Sequence, residues 1–542
     1  MKKIFDTYFK WSSLSINCIE NNQYARRVNQ PGKIMNKAKI VNIATTIAFF
    51  LLLINVSGCH QQGALQKTTP VQSKNSWYQS AQKTLQRHRE QARINGPAKN
   101  IILFIADGHG ITSNTALRIH EGQRAGKLGE EHILSFEHFP HLALSKTYNT
   151  DSQIPDSAGT ATAMIAGIKT RIGLLSITDN VARGDCIKAK DHTVTTALEM
   201  AENAGMATGV ITTARLTHAT PAAAYAHSAD RNFEDDTGFN DEQKAMGCRD
   251  IAQQFVEFNL GDGIDVAMGG GRQHFLPQSV TDSEGRKGKR NDNRHLVSEW
   301  KQRFPQGQYI ENLAEFNQLT NNTPVLGLFN ASHMQYEVDR SADKAGEPSL
   351  ADMTEKTIQL LESKSQKTGK GYFLLIESGR VDHAHHAGNA YRALEDGRVY
   401  AEAIARANQM TREEDTLIIV TADHSHTLTM AGYASRGNPI LGLSNTVDAE
   451  GNSSPELAYD GLPYTTLGYA NGPGAINATR QQLNEENVTA KDFKQPALVP
   501  MEYETHGGED VAIYARGPGA WLLDGTVEQH YIFHVMNSVA QW

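Results

Sequence analysis

An α/β protein, with one large, mainly parallel central sheet, helices on both faces and an irregular inserted lobe, is expected from three observations. Uninterrupted apolar runs recur and end in acidic or histidine side chains: "NIILFIADGHG", "GYFLLIESG" and "DTLIIVTADHSH". Runs of this kind mark strands covered on both faces, as in parallel sheets. Helical patterns lie between them, in "TVTTALEMAENAG", "SLADMTEKTIQLLES" and "AYRALEDGRVYAEAIARANQM". Alternating strands and helices wind into one sheet. The stretch 425–505 breaks that rhythm: it is rich in Gly, Asn, Ser and Pro and lacks a long helical pattern.

Taken along the chain, residues 1–59 form a leader. They carry eight Lys/Arg against two Asp/Glu, which leaves about −14 on the remainder of a chain whose net charge is −8. An acidic body argues against general nucleic-acid binding. Lys37 and Lys39 precede an apolar stretch from Ile40 to Val56, and "VSGC" then places small residues ahead of Cys59. This is the pattern of an export signal with a lipoprotein processing site, with Met35 as the true start. Lipidation at Cys59 would tether an exported protein to a membrane, with the outer membrane favoured over the inner; an uncleaved anchor helix is the alternative. Residues 60–97 read as a tether with a helix near Trp77–Gln91. Residues 98–424 and 506–542 read as the catalytic α/β domain, ending in a short strand and a helix from Glu528, and 425–505 as a crown-like insertion. Cys186 and Cys248 remain in the exported body, where an oxidising compartment makes a disulfide between them the natural expectation and two buried thiols the alternative.

The chemistry concentrates where the runs end. Asp107, Glu377, Asp423 and His424 sit at strand ends, and "DHAHH" packs Asp382, His383, His385 and His386 into five positions, with His506 further on. Ligands of wound sheets bind beyond the carboxyl ends of strands, so these side chains face one crevice. Mixed His and carboxylate sets suit zinc, and oxygen sets suit magnesium. Clustered carboxylates repel unless a cation sits among them. Ser157 in "PDSAGTATAMIAG" opens a run of helix formers, where free N–H groups favour phosphate; the plainer reading is a helix N-cap. His385 carries no assigned role and is expected on the surface or behind the site.

"IADGHG", "DSAGTATA", "THATPAAAYAHSADRN", "ESGRVDHAHH", "VTADHSHT" and "THGGEDVAIYARGP" occur in the order found in alkaline phosphatases, over roughly residues 98 to 540. The chain resembles the animal-type, three-metal form. The resemblance implies an alkaline phosphatase-like fold and hydrolysis of small phosphate monoesters at alkaline pH through a phosphoserine on Ser157. It also implies two Zn2+, one Mg2+, a homodimer, and Arg231 as a fork for phosphate oxygens. The first zinc would take Asp382, His386 and His506, and the second Asp107, Asp423 and His424. Magnesium would take Asp107, Thr220 and Glu377, with His218 and His383 behind these ligands. A peripheral Ca2+ would fall to Glu242, the Phe329 carbonyl and Glu347, with Asn330 where the family has a glutamate. Cys186 and Cys248 match a family disulfide. A phosphodiesterase or sulfatase of the same superfamily, or a metal- or phosphate-binding lipoprotein without turnover, remain as alternatives.

His383 stands where the best-known enteric enzyme has a lysine. A neutral imidazole holds phosphate less firmly than an ammonium does, so His383→Lys is expected to lower the inhibition constant of inorganic phosphate, measured by steady-state competition.

Overall fold

The computed structural model describes residues 71–321, 323–475 and 479–542; the leader and Cys59 lie outside the described residues. The chain divides into two units, Met1–Gln82 and Lys83–Trp542. A helix, Ser76–Glu90, runs where one was expected, and none of its residues is buried.

The second unit is organised by a ten-stranded sheet. Its strands include β1 (Asn100–Ala106), β2 (His141–Lys146), β3 (Ala207–Arg215), β4 (Val266–Gly270), β5 (Gln308–Ile310), β6 (Val325–Leu328), β7 (Tyr372–Ser378) and β8 (Thr416–Ala422). Across the sheet the order is Gly525–Glu528, β2, Val511–Arg516, β8, β1, β7, β3, β4, β6, β5. Every neighbouring pair is parallel except the two made by Val511–Arg516, which runs against both β2 and β8. The sheet is therefore large and mainly parallel.

All seven residues of β1, β7 and β8 are buried, as their unbroken apolar runs require. Alternate side chains of β1 enter two separate cores. Ile101, Leu103 and Ile105 join Met164, Leu198 and Ile532, whereas Ile102 and Phe104 join Leu117, Leu361 and Ile404. Period-two alternation of one strand thus packs helices on both faces. The helices Ala197–Asn203, Leu350–Thr368 and Ala390–Met410 occupy the segments where helical periodicity was read.

Two expectations need correction. The segment at Glu528 closes a strand, Gly525–Glu528, paired to β2, and the C-terminal helix starts at Tyr531. The stretch 425–505 is more regular than its composition suggests. It holds a three-stranded sheet (Leu428–Met430, Leu467–Gly472, Ala497–Pro500) and a pair of short strands, Asn445–Val447 and Ser453–Pro455. A two-residue antiparallel ladder, Ser425–His426 with His506–Gly507, joins the points where the chain leaves and returns.

Cys186 and Cys248 form a disulfide with a Cα–Cα distance of 5.3 Å, inside the normal range. It closes a loop of 62 residues, and restricting the unfolded chain by that loop contributes up to about 4 kcal/mol. Cys186→Ser and Cys248→Ser should each lower the unfolding free energy by roughly 2–4 kcal/mol, read from denaturant melts, and the double variant should lose no more than either single one.

Candidate active site

Sheet register brings the acidic strand ends to one level. Ala106 of β1 pairs with Ala422 of β8 and with Ser378 of β7, so Asp107 and Asp423 leave the sheet side by side and Glu377 lies one step back opposite Ile105. Gly108 turns the chain away at φ +74°, and a Cβ there would overlap the His426 ring. Its N–H donates to Asp423 Oδ1 at 2.9 Å.

Ser157 is the first residue of the helix Ser157–Ala166, and the N-cap is Asp156, not the serine. Asp156 Oδ1 accepts from Gly159 N, and Asp156 Oδ2 accepts from Arg231 Nη1 at 3.2 Å. The carboxylate that caps the helix thereby also orients the arginine, leaving the Ser157 hydroxyl free. Ser157 Oγ lies 3.1 Å from His424 Nε2 and 3.4 Å from Asp107 Oδ1.

Hydrogen bonds decide which imidazole nitrogens carry protons. His424 Nδ1 faces the Ser425 carbonyl, His386 Nδ1 the Glu504 carbonyl and His506 Nδ1 the Pro155 carbonyl. A carbonyl only accepts, so each Nδ1 is protonated and each Nε2 presents a lone pair. Burial opposes protonation of His424 and His506, holding His424 near 3 and His506 well below its usual value.

These lone pairs converge on carboxylates. His386 Nε2 and His506 Nε2 face each other at 3.1 Å, and lie 3.3 and 3.5 Å from Asp382 Oδ1. His424 Nε2 lies 3.1 Å from Asp423 Oδ2 and 3.4 Å from Asp107 Oδ1. Ligands about 2.0–2.1 Å from a tetrahedral zinc are separated by roughly 3.3–3.4 Å. Both sets therefore have the spacing and the unprotonated donors of zinc sites, and their His424 and His506 rings stack with centroids 3.7 Å apart.

A third set is made of oxygen. Asp107 Oδ2, Glu377 Oε1 and Thr220 Oγ1 are all buried without a hydrogen-bond partner, which is a costly state unless a cation or water joins them. Asp107, Glu377 and His218 ligand atoms lie within 4.8 Å of one another. Arg231 Nη2 contacts His218 Nε2 at 3.2 Å; guanidinium only donates, so the His218 proton sits on Nδ1, which is buried without a hydrogen-bond partner. His383 Nδ1 takes a bond from Arg380 Nη1 at 3.1 Å, and burial with the nearby arginine charge brings it down to about 3.

The same burial separates the carboxyl groups. Asp107 is driven well above the usual carboxylate range by burial and then by Asp382, Asp423 and Glu377. Burial pushes Glu377 to about 7. Burial would also raise Asp382, but His386, His426 and His506 hold it well below.

The chain matches the family model described as "Alkaline phosphatase" over residues 98–542. It is 42% identical over 473 residues to the tissue-nonspecific alkaline phosphatase isozyme of Rattus norvegicus, covering 85% of this chain and 87% of that protein. The chain belongs to the alkaline phosphatase family. It is also 41% identical to alkaline phosphatase of Gadus morhua, over 95% of that protein. Among solved structures, the alkaline phosphatase of Thermus thermophilus superimposes with a TM-score of 0.57 at 22% identity, covering 83% of this chain and 93% of that one. The cold-active enzyme of a psychrophilic Shewanella sp. gives 0.56 at 23%, covering 82% and 100%. These likenesses extend the family fold to this chain, and the chain is an enzyme of that family.

All residues expected at the three cation positions, together with Ser157 and Arg231, meet in this one crevice. The residues expected at calcium lie on separate elements. Glu242 is exposed on the short helix Asp241–Ala245, while Glu347 is 1% exposed and both its oxygens are taken, by Asn330 Nδ2 and by Gln335 N, each at 2.8 Å. An amide in place of a second carboxylate supplies donors to Glu347, and burial raises that carboxyl to about 7. His385 is wholly buried rather than exposed, bonded to Ser113 at 3.0 Å and to Tyr469 at 2.8 Å.

Sequence reasoning passed over His426 and Glu504. Both are buried, and His426 Nε2 bonds Asp382 Oδ1 at 2.7 Å. His426 stands two residues after His424 and Glu504 two before His506, spacings that place both beside known candidates, yet neither ends an apolar run.

Glu377 supplies a pH test on chelated protein. Its folded value near 7 exceeds the unfolded value near 4.5, so its contribution is present at low pH and is lost as pH rises between those values. In metal-free protein, Glu377→Gln is expected to leave stability at pH 4 nearly unchanged and to raise it at pH 8 by on the order of 3 kcal/mol, measured by chemical denaturation.

Proposed function

We propose that this enzyme hydrolyses phosphate monoesters at alkaline pH through a phosphoserine on Ser157, with two zinc ions and one magnesium ion. The observation that carries the reading is the convergence of unprotonated imidazole nitrogens and carboxylate oxygens at tetrahedral spacing around one serine hydroxyl. Asp382, His386 and His506 would hold the first zinc; Asp107, Asp423 and His424 would hold the second. Asp107, Thr220 and Glu377 would hold magnesium, an oxygen set suited to a hard cation. When bound, these cations favour the deprotonated hydroxyl and neutralise charge on the attacking and departing oxygens.

The chain's own groups account for the rest. Ser157 Oγ attacks phosphorus in line; the new O–P bond forms as the ester O–P bond breaks and the alcohol departs on the opposite side. Arg231, oriented by Asp156, presents a planar fork to two non-bridging oxygens. The amino end of the Ser157–Ala166 helix adds N–H groups favourable to phosphate. Water then displaces Ser157 from phosphorus and releases inorganic phosphate. His383, neutral and bonded to Arg380, contributes no full charge to phosphate binding.

Several wider readings accompany this one. Residues 98–424 and 506–542 form the catalytic domain with 425–505 as its crown-like insertion, and two chains pair as a homodimer. Cys59 carries a lipid that holds the exported enzyme at a membrane, favoured as the outer one. Among the described residues no helix is long and apolar enough to cross a membrane. Small alcohol phosphates are the partners, and the acidic body disfavours nucleic acid.

Ser157→Ala should cut kcat for an aryl phosphate by roughly three orders of magnitude or more while metal content per chain stays unchanged. Rates on the aryl phosphate should exceed those on its methyl diester and its sulfate. A serine variant of near-normal rate, or a preference for diester or sulfate, would refute the assignment.

A further inference from the structure

Glu504 is the last buried carboxylate before the chain returns from the lobe to the sheet, and the chemistry above does not use it. It is 1% exposed. Its Oε1 accepts from Thr427 N at 2.5 Å and from Thr427 Oγ1 at 2.6 Å. Its Oε2 bonds His426 Nδ1, and the far nitrogen of that ring, Nε2, reaches Asp382 Oδ1 at 2.7 Å. The Glu504 backbone is committed to the same place: its N–H donates to the His386 carbonyl at 3.0 Å, and its carbonyl faces His386 Nδ1. One residue therefore touches two of the three side chains expected at the first zinc, one directly and one through His426.

The direction of each bond follows from the donor inventory. Thr427 supplies two donors to Oε1, so Oε2 is left to the imidazole. His426 is buried between two carboxylates, and its two ring nitrogens reach one of them each. An imidazole held this way turns Asp382 and fixes which oxygen faces His386 and His506. Without Glu504, the ring would lose its anchor at Nδ1 and would be free to rotate away from Asp382. Nothing else among the described contacts holds Nδ1.

We infer that Glu504 is a positioning residue for the first zinc, acting through His426 to orient Asp382 and through its own backbone to orient His386. This rests on the two-zinc reading. It adds to that reading a carboxylate lying outside the ligand set, whose effect is on the affinity of one metal position and not the other. Groups that orient metal ligands typically change affinity by roughly 10–100-fold.

The test is zinc binding to metal-stripped protein, titrated against a chromophoric chelator, for the wild type, Glu504→Gln, His426→Gln and the double variant, with folding checked by circular dichroism and melting. Glu504→Gln should weaken one of two zinc sites by roughly 10–100-fold, leave the other within a factor of two, and raise the zinc concentration needed for half-maximal activity. The double variant should lose no more than His426→Gln alone, since the two residues act in series. Glu504→Asp, which keeps the charge, should recover part of the loss and serves if the glutamine variant folds poorly. Equal zinc affinities in Glu504→Gln and wild type, equal weakening of both sites, or losses that add in the double variant would overturn the inference while leaving the phosphatase reading intact. A wild-type protein that binds no zinc yet hydrolyses phosphate monoesters would remove both.

Discussion

Anionic oxygens and imidazole lone pairs meet at the carboxyl ends of β1, β7 and β8 with too few donors to satisfy them. Asp107, Asp423 and Glu377 each keep one buried oxygen without a partner, and His386 and His506 turn unprotonated nitrogens toward each other at 3.1 Å. An isolated arrangement of this kind is repulsive and poorly solvated. Cations are the ordinary remedy, since one ion supplies several partners at once and reverses the local charge. The surrounding structure serves that condition: the parallel strands deliver the acids to one level, and carbonyls from Pro155, Ser425 and Glu504 set the imidazole tautomers.

The two zinc-like positions are built differently. The second draws on residues that directly follow strands β1 and β8, so its geometry is inherited from the sheet. The first gathers Asp382 and His386 from the short helix Arg380–His386 and His506 from the two-residue ladder, with Glu504 and His426 bracing them. A position assembled from a two-turn helix and a two-residue ladder needs such bracing, because neither has the rigidity of a ten-stranded sheet. The stacked His424 and His506 rings join the two halves.

Much of this could be read from residues alone, for identifiable reasons. Strands β1, β7 and β8 announce themselves because burial on both faces demands continuous apolar runs, and the acids at their ends stand out against that background. The long helices were legible from periodicity. The short edge strand Gly525–Glu528 was not, because exposed edge strands carry little apolar signal and the polar run resembles a helix start. The lobe's small strands were hidden by glycine and asparagine. His426 and Glu504 matter through partners 44 and 78 residues apart in sequence, which no local pattern reveals. Glu242 falls on an exposed five-residue helix whose place no local pattern reveals, and Asp156 was overlooked because the adjacent serine drew attention as the cap.

The Ser425–His426 and His506–Gly507 ladder fastens the exit and re-entry of the lobe next to each other, like a drawstring at the neck of a bag. Closing a longer loop adds little entropic cost once its neck is tied. The exposed parts of the excursion can thus lengthen, shorten or change their surface at little entropic cost, while Leu428, Ile440, Leu441, Leu467 and Tyr469 stay packed in the core that they share with Ile102 and Phe104. Descendants of this chain can acquire new recognition surfaces there without disturbing the chemistry at the neck.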